Sequence, residues 1–216
     1  MRLIKSTALL LLLCSIALTA AEDWGLKKDS DGIQIFTRTV EGSKFKAVRG
    51  VTEMETSLAS LVALVQDSAA CPEWADLCKE SRVEETLSAQ EMYVYTHNDL
   101  PWPVKDRDVL AHVVWTQDPE SRAVTMQSTA TSDKLANTKG RVRLTEADAR
   151  WIFTPLVNNK VEVVTEAHIN PGGPLPAWIT NMLLVDAPFK TLTNLRTLVK
   201  NPKYQNASVD FVTEAN

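Results

Sequence analysis

Alternating apolar and polar residues recur in short runs along most of the chain and predict a series of β-strands. The first two runs, residues 33–40 and 44–54, are separated by Glu41-Gly42-Ser43 and form a predicted hairpin. Further strands are predicted at residues 81–87, 91–97, 109–117, 123–129, 140–146, 150–155 and 160–169. Because short turns separate these runs, the pattern favours an antiparallel meander. Residues 24–29 are interpreted as a helical turn, and residues 131–139 as a mobile polar loop.

Two segments carry apolar residues at the three-to-four spacing of an amphipathic helix. The first begins at the N-cap candidate Ser57 and ends near Ser68, and an irregular corner follows at residues 71–77. The second, residues 176–200, has one broad apolar face made of Leu175, Trp178, Ile179, Met182, Val185, Phe189, Leu192, Leu195 and Val199. Pro188 lies inside this helix and is expected to kink it, because proline removes one backbone hydrogen bond.

The order of these elements predicts an α+β fold. A strand pair and a small helix come first, then six or seven strands, and then the long helix. A long antiparallel sheet with one helix across its open face forms two packed layers. Such a sheet curves around the helix, and a single helix fills only part of the concave side. The remaining space is predicted to be an internal apolar cavity.

Residues 1–21 have the features of a secretory signal peptide and are not expected to belong to the fold. Two cations precede an apolar run that is too short for a membrane span, and small residues precede Glu22. A lipoprotein alternative based on Cys14 is less favoured, because Leu13 stands where a small residue would be needed. We therefore expect a periplasmic or secreted protein.

The rest of the chain is predicted to form one domain over residues 22–200, followed by a polar tail at residues 201–216 that frays. The formal net charge of −4 becomes −6 without the signal peptide, which contains two cations and no acid. This charge argues against binding of nucleic acid and against electrostatic docking on anionic lipid.

Two cysteines remain in this domain, Cys71 and Cys78, and in an oxidising compartment they are expected to form a disulfide. Seven residues along a continuous helix would span about 10 Å, too far for a bridge, but Pro72 interrupts a helix there. The sequence has no Cys-x-x-Cys motif and no Cys/His ligand set, so neither a metal nor a cofactor is expected.

Residues 98–115 are the most distinctive stretch of the chain. Pro101 and Pro103 make a rigid loop, and four charged residues at 105–108 then run directly into an apolar strand. One interpretation is a solvated turn. In the other, Arg107 points inward, where a buried guanidinium needs a carboxylate partner.

The motif Pro101-Trp-Pro-Val-x-x-Arg-Asp, followed by a hydrophobic strand, resembles the hallmark of START (steroidogenic acute regulatory protein-related lipid transfer) domains. Upstream, Cys71-Pro-Glu-Trp74 with Lys79-Glu80-Ser81 resembles the W-x4-K-E segment of that family. Downstream, Asn170-Pro-Gly-Gly-Pro-Leu-Pro-Ala-Trp178 resembles the approach to its C-terminal helix. The resemblance covers residues 22–200 and implies a helix-grip fold. It also implies non-covalent binding, and transfer, of a lipid or another hydrophobic small molecule.

The resemblance further implies the polar anchor of the site. In START domains a carboxylate and an arginine pair inside the cavity, and the matching positions here are Glu80 and Arg107. Because Glu80 lies at a strand edge, a surface position is the alternative. The other expected ligand-binding residues are Trp102, Trp178, Met182 and Phe189. The loop at residues 100–104 and the long helix are expected to gate the cavity of a monomer that touches membranes transiently.

A binding protein is expected rather than an enzyme. Since related helix-grip proteins include hydrolases and cyclases, an enzyme acting on a ligand in the cavity is the alternative, and a polar triad in the cavity would identify it. His97, His112 and His168 are interpreted as hydrogen-bonded or surface residues rather than as metal ligands. A structural factor with a collapsed core is a third alternative.

Overall fold

The computed structural model describes residues 23–132 and 134–215. Within these residues ten strands form one sheet, in the order β1-β2-β3-β10-β9-β7-β6-β5-β4, and β8 pairs with β6 off this path. The strands are β1 Gly25–Ser30, β2 Ile33–Thr39, β3 Lys46–Glu55, β4 Cys78–Ser88, β5 Glu91–Asn98, β6 Arg107–Gln117, β7 Val124–Ala130, β8 Val142–Arg143, β9 Ala147–Leu156 and β10 Lys160–Ile169. Every pair is antiparallel except β6 with β8. The predicted curved antiparallel sheet is confirmed, and the predicted signal peptide lies outside the described residues.

The helices lie in two groups, before β4 and after β10. They are α1 Leu58–Gln66, a 3-10 turn Ser68–Ala70, α2 Cys71–Trp74, α3 Ala177–Asn181, a π-helical turn Met182–Asp186, α4 Ala187–Leu198 and α5 Pro202–Gln205. Ser57 caps α1 as predicted, since its hydroxyl accepts a hydrogen bond from the Ser60 backbone. None of these helices in the described chain is long and apolar enough to cross a membrane.

The C-terminal helix runs through α3, the π-helical turn and α4 without a loop, so the long helix is confirmed. The distortion expected at Pro188 takes the form of the π-helical turn that ends at Asp186. Pro188 therefore falls in the first turn of α4, where a residue without a backbone N–H is tolerated. A π turn of this kind absorbs the strain that a proline would cause inside a regular α-helix.

Helix α4 packs on one half of the concave face, which we define as the face of the sheet that carries the C-terminal helix. At the closest approach, a Cβ atom added to Gly50 would lie 2.7 Å from Leu192 Cδ1. The buried core around this contact includes Ile33, Ile35, Met54, Leu61, Trp115, Phe153, Val163, Leu192 and Leu195. Side chains thus fill the half of the concave side beneath α4 and α1.

Cys71 and Cys78 are joined by a disulfide, with their Cα atoms 6.0 Å apart. The bridge forms because α2 ends at Trp74, and the chain then turns back through Leu77, which has a positive φ of 73°. The expected obstacle, a continuous helix between the two cysteines, is therefore absent from this segment.

Three expectations about local structure are wrong. The segment expected to be a helical turn forms β1, because pairing with the edge of β2 outweighs its weak helical pattern. The strand expected at residues 140–146 shortens to β8. The tail expected to fray instead packs on the core, where the Phe211 ring lies 6.2 Å from that of Trp115. The Glu214 carboxylate also accepts hydrogen bonds from two backbone N–H groups at the start of α1.

Candidate functional site

A cavity of about 620 Å³ occupies the half of the concave side that the core leaves open. Its lining residues come from the start of β3 and the segment before it, the residue before β4, the ends of β5 and β10 with the segments that follow them, the start of β6, the residue after β8, and the first half of the C-terminal helix. They are Lys44, Phe45, Lys46, Val48, Leu77, Asn98, Leu100, Arg107, Leu144, Ala167, Ile169, Pro171, Leu175, Thr180, Asn181, Leu183 and Leu184. Most of these side chains are apolar, as expected for a small-molecule site.

Strand alternation explains why these residues face the cavity. On β3, Gly50 lies beneath Leu192, so Val48 and Lys46 point to the same concave face, beyond the end of the packed core. On β10, Ala167 is the direct partner of Val48 and shares its face. The apolar core and the cavity are therefore two parts of one concave surface.

Arg107 brings a buried cation to this surface. The apolar residues that follow it on the same face of β6, Ala111 and Val113, belong to the core. Arg107 is only 6% exposed, and its Nε donates to the Pro171 carbonyl at 3.1 Å while Nη1 donates to the Lys105 carbonyl. Of the two interpretations of the 98–115 stretch, the inward arginine is therefore the one observed.

The protein satisfies only part of the Arg107 guanidinium. Its Nη2 donates to no protein atom in the described chain and keeps some accessible surface. No carboxylate of the described residues forms an ion pair with it. Burial lowers the pKa of Arg107 from its ordinary value, and the charge of nearby Asp106 offsets part of that effect. The Asp106 carboxylate itself is held by His97 Nε2 at 2.8 Å.

The expected ion pair between Glu80 and Arg107 is wrong. Glu80 is exposed and accepts a hydrogen bond from Arg82 Nη1 at 2.7 Å. Strand β4 is an edge of the sheet, and its register with β5 is irregular between Cys78 and Glu80. At an irregular edge strand, alternation cannot direct a side chain inward, so the surface alternative for Glu80 is the one observed.

The remaining predicted ligand-binding residues lie outside the cavity lining. Trp102 is 90% exposed and Trp178 is 53% exposed. Met182 is partly buried, and Phe189 packs against the core with Lys28 Nζ 3.8 Å from its ring centre. Among the six predicted site residues, Arg107 alone lines the cavity.

The sequence interpretation missed the polar residues that do line the cavity: Lys44, Lys46, Asn98, Thr180 and Asn181. Alternation along β3 could have indicated Lys46, because it shares a face with Val48. The two helix residues could not be found this way, since the apolar stripe of the C-terminal helix runs through other positions and packs mainly on the core.

A second polar cluster lies on the opposite, convex face of the sheet. Asp108 accepts two hydrogen bonds from Arg143, from Nε at 2.9 Å and from Nη2 at 3.1 Å. Tyr95 also donates its hydroxyl to this carboxylate at 3.1 Å. Burial raises the pKa of Asp108, but the bonds from Arg143 and Tyr95 outweigh it and hold the pKa below its usual value. These three side chains bind one another, and none of them lines the cavity.

The three histidines each have a separate partner. His97 contacts Asp106, His112 contacts Glu91 at 2.7 Å, and His168 contacts the Ser43 hydroxyl at 2.9 Å. In the part of the chain that the structure describes, no group of histidine, cysteine and acidic side chains is arranged to hold a metal ion.

The START domain family model matches residues 6–203, and the chain therefore belongs to the START domain family. The chain is 35% identical over 177 residues to an uncharacterized protein of Pseudomonas aeruginosa, covering 82% of this chain and 87% of that protein.

Solved structures show the same fold. A STAR-related lipid transfer protein from Xanthomonas axonopodis has a TM-score of 0.75 and 32% identity, covering 82% of this chain and 99% of that one. Human STARD10 has a TM-score of 0.74 at 18% identity, covering 86% of this chain and 77% of that one. The sheet and long helix are thus the architecture of this family.

Proposed function

We propose that this protein binds a lipid or another hydrophobic small molecule non-covalently in the 620 Å³ cavity. The observation behind this proposal is a mainly apolar cavity whose lining includes one buried arginine, Arg107, with Nη2 free of partners among the described residues. Each methylene group moved from water into such a cavity contributes about 0.8 kcal/mol. Membership of the START family and the likeness to a bacterial STAR-related lipid transfer protein support this proposal.

Transfer between membranes is the finer proposal. Leu100 and Leu175 line the cavity, and the segments that contain them carry the exposed side chains of Trp102 and Trp178. Tryptophan favours the interface between membrane and water. The loop at residues 100–104 and the first half of the C-terminal helix would then touch a membrane transiently while the ligand passes between them. We place this activity in the periplasm or outside the cell, where the expected signal peptide would direct a monomer.

The enzyme alternative lacks support in the cavity lining. The polar lining residues among those described are lysines, one arginine, two asparagines and one threonine. General acid–base catalysis needs a group that exchanges a proton near neutral pH, usually histidine or a carboxylate. The discriminating polar triad is not found among the described lining residues. A collapsed core, the third alternative, does not fit a cavity of this size.

A binding test with a blocked cavity decides the proposal. Ala167→Phe places a ring in the cavity, whereas Ala89→Phe changes an exposed turn between β4 and β5 and serves as the control. We expect the uncharged fluorescent probe N-phenyl-1-naphthylamine to bind the parent and the control but not Ala167→Phe. Equal binding by both variants would contradict a ligand site in this cavity. Mass spectrometry of extracts from the exported protein would then identify the natural ligand.

A further inference from the structure

The charges around the cavity are opposite in sign to the charge of the whole chain. The chain has 27 acidic and 23 basic residues, a formal net charge of −4. Nevertheless the charged residues among the described cavity lining are Lys44, Lys46 and Arg107, and none is acidic. A neutral ligand would not need this arrangement.

None of these three cations is neutralised by an ion pair with a described residue. Arg107 uses Nε and Nη1 on backbone carbonyls, which leave its positive charge in place. The side chains of Lys44 and Lys46 form no hydrogen bond or ion pair with the described residues. Elsewhere on the surface many lysines do have acidic partners, for example Lys160 with Glu53 at 3.2 Å.

The three positions are suited to different parts of one negative group. Arg107 is buried and offers Nη2, so it can donate to an oxygen atom inside the cavity. Lys44, just before β3, and Lys46, its first residue, are exposed, so they can attract the same group from solvent before it enters. A ligand with no acceptor would leave Nη2 of this buried guanidinium without a partner in the cavity, which is costly in an apolar site.

We infer that the ligand is an anionic amphiphile, an aliphatic chain that ends in a carboxylate or a phosphate group bound by Arg107 and attracted by Lys44 and Lys46. This inference rests on the proposed function, because it assigns the head group of the molecule that the cavity is proposed to hold. Arg107 can bind either oxyanion, since Nη2 can donate a charge-assisted hydrogen bond to an oxygen atom of a carboxylate or of a phosphate group.

Displacement of N-phenyl-1-naphthylamine by four ligands of one chain length tests this inference. Hexadecanoic acid and hexadecyl phosphate carry a charge at pH 8, whereas methyl hexadecanoate and hexadecanol do not. We expect the charged ligands to displace the probe at concentrations at least about tenfold lower, as a charge-assisted hydrogen bond would give. The stronger of the two charged ligands identifies the carboxylate or the phosphate.

Two variants and one control test which residues give the preference for charged ligands. Arg107→Gln should remove most of the preference for charged ligands and leave displacement by methyl hexadecanoate unchanged. Lys44→Gln/Lys46→Gln changes exposed side chains, so it should fold normally even if the first variant does not, and should reduce the preference about threefold. Lys27→Gln/Lys200→Gln makes the same charge change at exposed positions outside the cavity lining and should have no effect.

The outcomes separate the two proposals. If the parent binds the probe and all four ligands displace it equally, the anionic ligand is wrong while the cavity proposal stands. A preference that survives in both the arginine and the double lysine variants also overturns the inference, since the charge would then be recognised elsewhere. If the parent does not bind the probe or any of the ligands, both proposals fail.

Discussion

Asp108 and Arg143 form a bidentate ion pair on the convex face of the sheet, one residue along β6 from the arginine that faces the cavity. Both side chains are almost fully buried, with 1% and 4% exposure. The short parallel pairing of β8 with β6 places the two residues directly opposite each other. The two buried arginines therefore differ in their partners: Arg143 is neutralised by a carboxylate within the protein, whereas Arg107 has no carboxylate partner among the described residues.

Breaking this pair should destabilise the protein strongly. Arg143→Leu leaves the Asp108 carboxylate buried without its partner, which typically costs about 3–5 kcal/mol of unfolding free energy. Adding Asp108→Leu should recover only part of the loss, because Arg143 also donates to the Leu135 and Ala136 carbonyls. Urea unfolding followed by circular dichroism measures these differences.

The surface pair of Glu80 and Arg82 is the matched control for this experiment. Its side chains are 49% and 45% exposed, so Glu80→Gln should cost less than about 1 kcal/mol. A large loss of unfolding free energy in Glu80→Gln, together with a small loss in Arg143→Leu, would contradict this assignment. Glu80 rather than Asp108 would then be the buried carboxylate.

Asp108 should also contribute to the pH dependence of stability. Its pKa in the folded protein lies below the value of about 3.9 that an aspartate has in an unfolded chain. Its contribution to stability is therefore complete above that unfolded value and is lost as the pH falls through the lower folded pKa. We expect the unfolding free energy of Asp108→Asn to change less steeply below about pH 4 than that of the parent. Urea unfolding at a series of acidic pH values measures this dependence. If the unfolding free energy of the parent and of Asp108→Asn changes equally with pH, the pKa of Asp108 is not lowered in the folded protein.

Gly50 should be sensitive to a single added methyl group. Its Cβ would lie 2.7 Å from Leu192 Cδ1 and 3.1 Å from Thr165 Cγ2, so the buried Leu192 side chain or α4 itself must shift to admit it. Gly50→Ala is expected to cost about 1–3 kcal/mol by overpacking. Gly25→Ala is the control, since its nearest neighbour would be 3.6 Å away. Thermal unfolding that is unchanged in Gly50→Ala would mean that α4 does not pack tightly on β3.

The periodic parts of this fold could be predicted from sequence, and the irregular parts could not. Alternation along β6 and the apolar face of the C-terminal helix both extend over many residues, so their signals are strong. The orientation of Glu80 depends on a bulge at an edge strand, and no periodic pattern encodes it. The pairing of Asp108 with Arg143 joins residues 35 apart in sequence through a two-residue strand, and it depends on tertiary structure.

In the candidate site, too, the part set by strand periodicity could be predicted and the part set by tertiary contacts could not. The inward position of Arg107 was open to inference because it precedes the alternating apolar residues of β6 on the same face. The sequence could not show that Arg107 lacks a carboxylate partner. The nearby Asp106 would be a candidate, but in the structure it is already bound by His97 and by the Leu100 backbone. The resemblance to START domains therefore indicated an arginine that does line the cavity, but it paired this arginine with a carboxylate that lies on the surface.

Trp102 and Trp178 should determine the rate of transfer rather than the affinity for ligand. Both are exposed on segments that adjoin the cavity, and neither lines it. If their rings enter the membrane interface during exchange, Trp102→Ala/Trp178→Ala should slow ligand transfer from vesicles about tenfold, equivalent to roughly 1.4 kcal/mol. Equilibrium binding of N-phenyl-1-naphthylamine and thermal unfolding should be unchanged, because these side chains contribute little to the cavity or the core.

Val157 provides the control for general surface hydrophobicity. It is 81% exposed in the turn between β9 and β10, and β10 runs from this turn to the cavity at its other end. Val157→Ala should therefore leave transfer unchanged. A transfer rate that falls equally in Val157→Ala and in the double tryptophan variant would point to non-specific adsorption. A rate unaffected by loss of both tryptophans would show that the protein exchanges its ligand through another surface, and the loop at residues 100–104 would then have no role in membrane contact.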